Sequence, residues 1–239
     1  MSRPPKKVAI VQSCYIPWKG YFDLIRRVDE FILYDDAQYT KRDWRNRNRI
    51  KTPQGPAWLS IPVDVKGRYR QAVKDTRVSD REWNTRHFRS IQANYARAPY
   101  YHELKPVLEE LYLACDTDLL SEINFRFIAK VCELLSIRTR LSWSMDYELA
   151  AGRTERLVDL CRQAQATEYL SGPSARAYVD RALFEAAGIT LTFMDYSGYA
   201  EYPQSYPPFE HGVSVLDLLL HTGPDAVSYL LPLQSPVRV

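Results

Sequence analysis

Short uninterrupted apolar runs alternate along this chain with longer stretches whose apolar residues recur every three to four positions. Val8-Ala9-Ile10-Val11 has the continuous character of a strand buried on both faces. Residues 21–28 carry a helical repeat, and Phe31-Ile32-Leu33-Tyr34 reads as a second strand. Strand, turn, helix and strand make a βαβ unit, whose ligands bind beyond the carboxyl ends of the strands. The polar tips at those ends, residues 12–19 and 35–49, are therefore where a site is expected.

Further along, residues 56–63 predict a strand joined to what precedes it by a hairpin at Pro53-Gln54-Gly55. Helical spacing covers 80–95, then a segment ending near 114, then 121–135, where Ile123, Phe127, Ile128, Val131 and Leu134 form a stripe. Strands are predicted at 139–143, 167–170 and 189–194. The helices between them run from Thr154, expected as an N-cap, to 166, and from the Ser171-Gly172-Pro173-Ser174 junction to 187. A Pro- and Tyr-rich loop at 199–212 precedes a last helix at 213–221. The pattern predicts an α/β fold with a parallel, Rossmann-like sheet, an inserted helical cap and a long C-terminal loop. One domain is expected over 1–239, with a first half at 1–75, a helical subdomain at 80–136 and a second half at 137–239.

Composition narrows the class. Hydrophobic residues at 46% and charged residues at 26% are ordinary for a soluble globular chain. No apolar run is long enough to span a membrane. The apolar stretch after the basic N-terminus is too short for a signal-peptide core, so a cytoplasmic protein is expected. A net charge of +3 is too small to imply nucleic acid. The 4 cysteines are widely spaced without a CxxC pair, which argues against a zinc site or a disulfide framework. Cys132 and Cys161 fall on apolar helical faces; Cys14 alone lies in a polar turn. The 17 Tyr and 5 Trp are the unusual figures, and their concentration in turns suits a groove for a flat or sugar-like ligand.

Three stretches carry candidate chemistry. Between 40 and 51 lie Lys41, Arg42, Arg45, Arg47, Arg49 and Lys51 against the single acid Asp43, with Trp44, Asn46 and Asn48 interleaved. This is either a solvated basic loop or a binding loop for an anion, such as a nucleotide diphosphate or an acidic carrier protein. The Ser171-Gly172-Pro173-Ser174 junction either caps a helix or presents free N–H groups to a phosphate. Of the 4 histidines, His211 lies in a loop beside Glu210, where it serves either as an acid/base group or as a cap.

Taken together, QSCYIPWKGYFDLI, YDDAQYTKRDWRNRNRIKTPQG, WSMDYELAAGRTERLVDLC, ATEYLSGPSA and DYSGYAEYPQSYPPFEHGVSVLDLL closely resemble the WbqC-like protein family over nearly the whole chain. The resemblance implies a place in bacterial O-antigen, other surface-glycan or natural-product biosynthesis. More remotely, Trp18-Lys19-Gly20-Tyr21 has the spacing of the HxGH turn of the nucleotidyltransferase α/β superfamily, with both histidines replaced. Three functions are then expected in competition. The first is acyl or aminoacyl transfer from a carrier-protein thioester to an amino sugar or related amine. It has His211 or Asp36 as base, and Tyr15 or Gln12 as donors to the oxyanion. Trp18, Asp35, Gln38, Arg42, Asp43, Trp44, Arg45, Asn46, Arg47, Ser171, Gly172 and Glu210 would surround the substrate. No cofactor or metal is expected beyond a phosphopantetheine-linked acyl donor, and the expected partners are a small sugar or amine and an acyl or peptidyl carrier protein. The second is nucleotidyl transfer, with Lys19 and Arg47 on phosphate and Asp35 or Asp36 on magnesium. The third is a non-catalytic carrier-binding scaffold.

Overall fold

A computed structural model describes residues 4–233; the start of the basic N-terminal stretch and residues 234–239 lie outside the described residues. Five strands form a parallel sheet. They are β1 (Lys7–Val11), β2 (Glu30–Leu33), β5 (Arg140–Trp143), β6 (Glu168–Ser171) and β7 (Thr190–Phe193), in the order β5-β2-β1-β6-β7. The chain thus builds outward from β1 to one edge, then returns to the other side of β1. Between β1 and β6 the direction of winding reverses, and a crevice opens there at the carboxyl ends of the strands.

The alternation within β1 shows how the sheet is covered. Ala9 faces a large core shared with helix α1 (Lys19–Ile25) and three further helices, α2 (Trp83–Tyr95), α3 (Tyr101–Leu113) and α4 (Leu120–Leu134). Val8 and Ile10 face a second core with Ile32, Tyr169 and the apolar faces of α5 (Thr154–Gln163) and α6 (Arg181–Ala186). Burial on both faces explains the unbroken apolar run that a one-sided strand would lack. The last helix, α7 (Val215–Thr222), starts where the Ser214 hydroxyl accepts the Leu216 N–H.

Three local readings change. Half of the basic loop is a strand: β3 (Arg47–Thr52) pairs antiparallel with β4 (Gly55–Ser60) in a separate two-stranded sheet. Its period was hidden because the inward residue is polar. Asn48 is buried, and its amide donates to the Tyr15 and Ile16 carbonyls of the turn after β1. The junction at residue 171 opens a short 3₁₀ turn, Pro173–Ala177, and an α-helix resumes only at Arg181 behind an Asp180 cap. A helix dipole aimed at the crevice is therefore absent there. Thr154 is the first residue of α5 and makes no capping bond; its hydroxyl instead accepts the Asp180 N–H.

Candidate functional site: an arginine-ringed cleft at the sheet's switch point

All five parallel strands deliver residues to one cavity of about 820 Å³. Gln12 follows β1; Tyr34, Asp36 and Gln38 follow β2; Gly152, Arg153 and Arg156 follow β5; Ser171, Gly172 and Ser174 lie at and beyond the end of β6; Tyr196 follows β7. Trp18 lines it from the turn before α1, and Arg45 and Arg70 from the excursion between β2 and α2. Four guanidinium groups thus face a space that has one carboxylate, Asp36, in its wall. Such a lining suits an anionic ligand with planar or aromatic parts.

Each of these side chains has a structural reason for its position. Asp36 is held from two sides: the Lys74 ammonium pairs with one carboxylate oxygen, and the Ser144 hydroxyl donates to the other at 2.7 Å. Gln12 donates to the Gln38 carbonyl at 3.3 Å, and Gln38 donates to the Tyr69 carbonyl at 2.6 Å. That chain of bonds holds the 65–71 loop against the rim, where Arg70 reaches inward. Arg156 donates to the Ala150 carbonyl at 2.9 Å and to the Tyr34 hydroxyl at 3.1 Å. Arg153 stacks on Tyr178, its guanidinium carbon 4.1 Å from the ring centre. Arg45 lies 3.1 Å from the Cys14 sulfur and 3.6 Å from the Asp43 carboxylate. Burial pushes the Cys14 thiol up, which disfavours the reactive thiolate.

The cleft brings together Gln12, Trp18, Asp36, Gln38, Arg45, Ser171 and Gly172. Other candidates lie elsewhere. Tyr15 is wholly buried among the helices, its hydroxyl 2.9 Å from Nδ1 of His87 and 2.9 Å from the Tyr112 hydroxyl. Burial holds its phenol well above the ordinary value and lowers His87 to about 4. Asp35 is also buried. One of its oxygens accepts the Ser13 N–H at 2.8 Å and the other has no partner among the described residues; desolvation raises its pKa to about 6. Asn46 donates to the Ile61 carbonyl, and Asp43 accepts from Thr40 and the Trp44 N–H. Arg42, Trp44 and Arg47 line a separate outer hollow. His211 is exposed in the C-terminal loop, edge-on to Phe209, and partial desolvation and the Lys19 charge lower its pKa. Glu210 accepts the Gly212 N–H and pairs with Arg49 at 3.8 Å, so it does not orient that imidazole.

The Trp18-Lys19-Gly20-Tyr21 segment spans the start of α1. A Cβ on Gly20 would overlap the Trp18 indole, so the close approach that glycine permits is filled by the chain's own side chain. Lys19 points the other way, into the rings of Tyr199, Tyr202 and Phe209. Its ammonium donates to the Ala200 carbonyl, and burial lowers its pKa to about 8.

Sequence reading missed Arg70, Arg153 and Arg156. For the last two a signal existed: both stand in or beside the first turn of α5, where the helix dipole disfavours cations. Arg70 sits in an exposed polar turn and carried no such mark.

A parallel five-stranded, Rossmann-like sheet with a polar, cationic cleft at its switch point defines the α/β class of the protein. Residues 12–229 match the model of the WbqC-like protein family, and the chain belongs to that family. It is 54% identical over 225 residues to the uncharacterized protein Rv1507c of Mycobacterium tuberculosis (strain ATCC 25618 / H37Rv), covering 94% of this chain and 97% of that one. No solved structure matches the chain.

Proposed function

We propose that the chain is a transferase that acylates the amine of a nucleotide-linked amino sugar held in the switch-point cleft, using a thioester as donor. One observation carries the reading: Arg45, Arg70, Arg153 and Arg156 converge on a cavity that also holds a fixed carboxylate and several aromatic rings. A diphosphate meets the guanidinium groups, which bind phosphate oxygens through charge-assisted bonds. Tyr34, Tyr178, Tyr196 and Trp18 offer apolar faces to a base or sugar. Asp36, anchored by Lys74 and Ser144, stands ready to orient the acceptor amine and take its proton.

In this reaction the amine nitrogen attacks the thioester carbonyl, a C–N bond forms and the C–S bond breaks. The amine proton passes to Asp36 and then to the departing thiolate, so that an amide and a free thiol leave. The Gln12 amide lines the cavity at the tip of β1; one N–H donates to the Gln38 carbonyl, and the second is the donor this reading assigns to the oxyanion. Nucleotidyl transfer fits less well. Two of the cations it would use, Lys19 and Arg47, are occupied in an aromatic cage and on the outer hairpin, and Asp35 is buried outside the cavity.

The test is incubation with a UDP-linked amino sugar and an acetyl thioester, read by mass spectrometry and thiol release. Stoichiometric N-acetyl product and thiol support the reading. Release of pyrophosphate from a nucleoside triphosphate, with the thioester untouched, refutes it.

A further inference from the structure

We propose that the outer face of the β3–β4 hairpin is the docking surface for an acidic carrier protein, which brings the thioester to the mouth of the cleft. This rests on the transferase reading above and names how its donor arrives. Trp44 and Trp58 are 43% and 45% exposed, large values for indoles in contact with each other. Their ring centres are 5.4 Å apart with planes inclined by 40°. Strand alternation turns Asn48 and Ile50 inward and leaves Arg47 and Arg49 on the side of Trp58, which is paired with Arg49 across the hairpin. The Arg47 guanidinium sits 4.1 Å over the Trp58 ring, and with Arg42 these groups enclose a hollow of about 360 Å³.

Two properties favour a protein over a small ligand. Trp58 already has Arg47 over its ring and Trp44 beside it, so the pair offers edges and a hollow for an anchoring side chain rather than a free stacking face. Tryptophan and arginine together are the residues that dominate protein interfaces, and an arginine stacked on an indole is pre-oriented toward carboxylates. The charge selects an acidic partner. Arg42, Arg47 and Arg49 line the hollow; Arg49 is paired with Glu210 at 3.8 Å, which leaves Arg42 and Arg47 against one carboxylate of the lining, Asp43, already engaged by Thr40 and the Trp44 N–H. Position selects a carrier. Trp44 belongs to the hollow and the next residue, Arg45, to the cleft wall, so a docked partner stands one residue along the chain from the cleft. The Trp44 carbonyl accepts the Tyr15 N–H at 3.0 Å, which fixes this segment to the turn after β1.

The experiment measures kcat/KM with two acetyl donors, acetylated holo acyl carrier protein and acetyl-pantetheine, for wild type, Trp44→Ala and Arg47→Glu. Unchanged thermal melting confirms that the variants are folded. A loss of tenfold or more with the carrier, without change for acetyl-pantetheine, is the expected result, and carrier binding by biolayer interferometry weakens as salt rises. Equal use of the carrier by wild type and variants overturns the docking surface while the transferase stands. Equal losses with both donors also overturn it, because the hollow then belongs to the small-molecule site. If wild type consumes neither donor yet binds the carrier, and both variants lose that binding, the surface stands and the transferase reading falls.

Discussion

Replacing Asp35 with asparagine should stabilise the protein at neutral pH, which is unusual for a wholly buried polar residue. One carboxylate oxygen is satisfied by the Ser13 N–H, the other has no partner among the described residues, and burial lifts the pKa from 3.8 to about 6. At about 1.4 kcal/mol per tenfold change in acidity, keeping Asp35 ionised inside the fold costs about 3 kcal/mol. The folded state holds this proton more tightly than the unfolded chain. Its stabilising contribution is therefore complete below pH 3.8 and is lost as pH rises through about 6. Asparagine keeps the acceptor for Ser13 and removes the charge, but leaves an unpartnered N–H₂ worth about 1 kcal/mol against it. Urea unfolding followed by tryptophan fluorescence should give Asp35→Asn a gain of about 1–3 kcal/mol at pH 7.5, vanishing near pH 4. His87 works in the opposite sense: its pKa falls from 6.5 to about 4, so stability is lost as pH drops through that window. The variant, without the Asp35 counterweight, should lose stability more steeply than wild type between pH 6 and 4. A variant less stable than wild type at pH 7.5, or one with the same gain at both pH values, would refute the reasoning.

Other expectations follow from single contacts. Asp36→Asn should cut turnover by about 10²–10⁴-fold while the dissociation constant for the nucleotide sugar, measured by calorimetry, changes little. Gly20→Ala forces the Trp18 indole out of its place and should destabilise the fold by about 1–3 kcal/mol in denaturant titration. Tyr15→Phe removes a buried hydroxyl from the pair with His87 and Tyr112, and should cost about 1–2 kcal/mol of stability. Its kcat with the small thioester should match wild type, because the residue lies outside the cleft.

How much of this was legible beforehand depended on whether a residue's role showed in its own type and spacing. The apolar runs at 8–11 and 31–34 predicted strands because parallel strands bury both faces. The tips beyond them, Gln12 and Asp36, were singled out by the rule that ligands sit at carboxyl ends, and both line the cleft. Ser171 and Gly172, singled out for their chemistry, also line the cleft, although the helix expected behind them is a 3₁₀ turn. Tyr15 and Asp35 lie buried outside the cleft, because composition cannot tell a polar residue at a strand tip from one turned into the core beside it. Asp35 and Asp36 are neighbours in sequence and point to opposite environments. His211 drew attention for its place in a loop beside Glu210, but that carboxylate accepts the Gly212 N–H instead of orienting the imidazole. Arg70 depends on the Gln12–Gln38–Tyr69 chain of bonds, a tertiary relation with no local signature.

The central claim is that the switch-point cleft binds a nucleotide diphosphate through its arginines. Calorimetric titration of wild type, Arg153→Ala and Arg156→Ala with a UDP-linked amino sugar tests it directly. Losing one charge-assisted contact of about 1.5–3 kcal/mol should weaken binding by roughly 10- to 100-fold in each variant. Saturable binding to wild type with those losses is the predicted result. Wild-type affinity in both variants, or no heat from any nucleotide sugar, would contradict it.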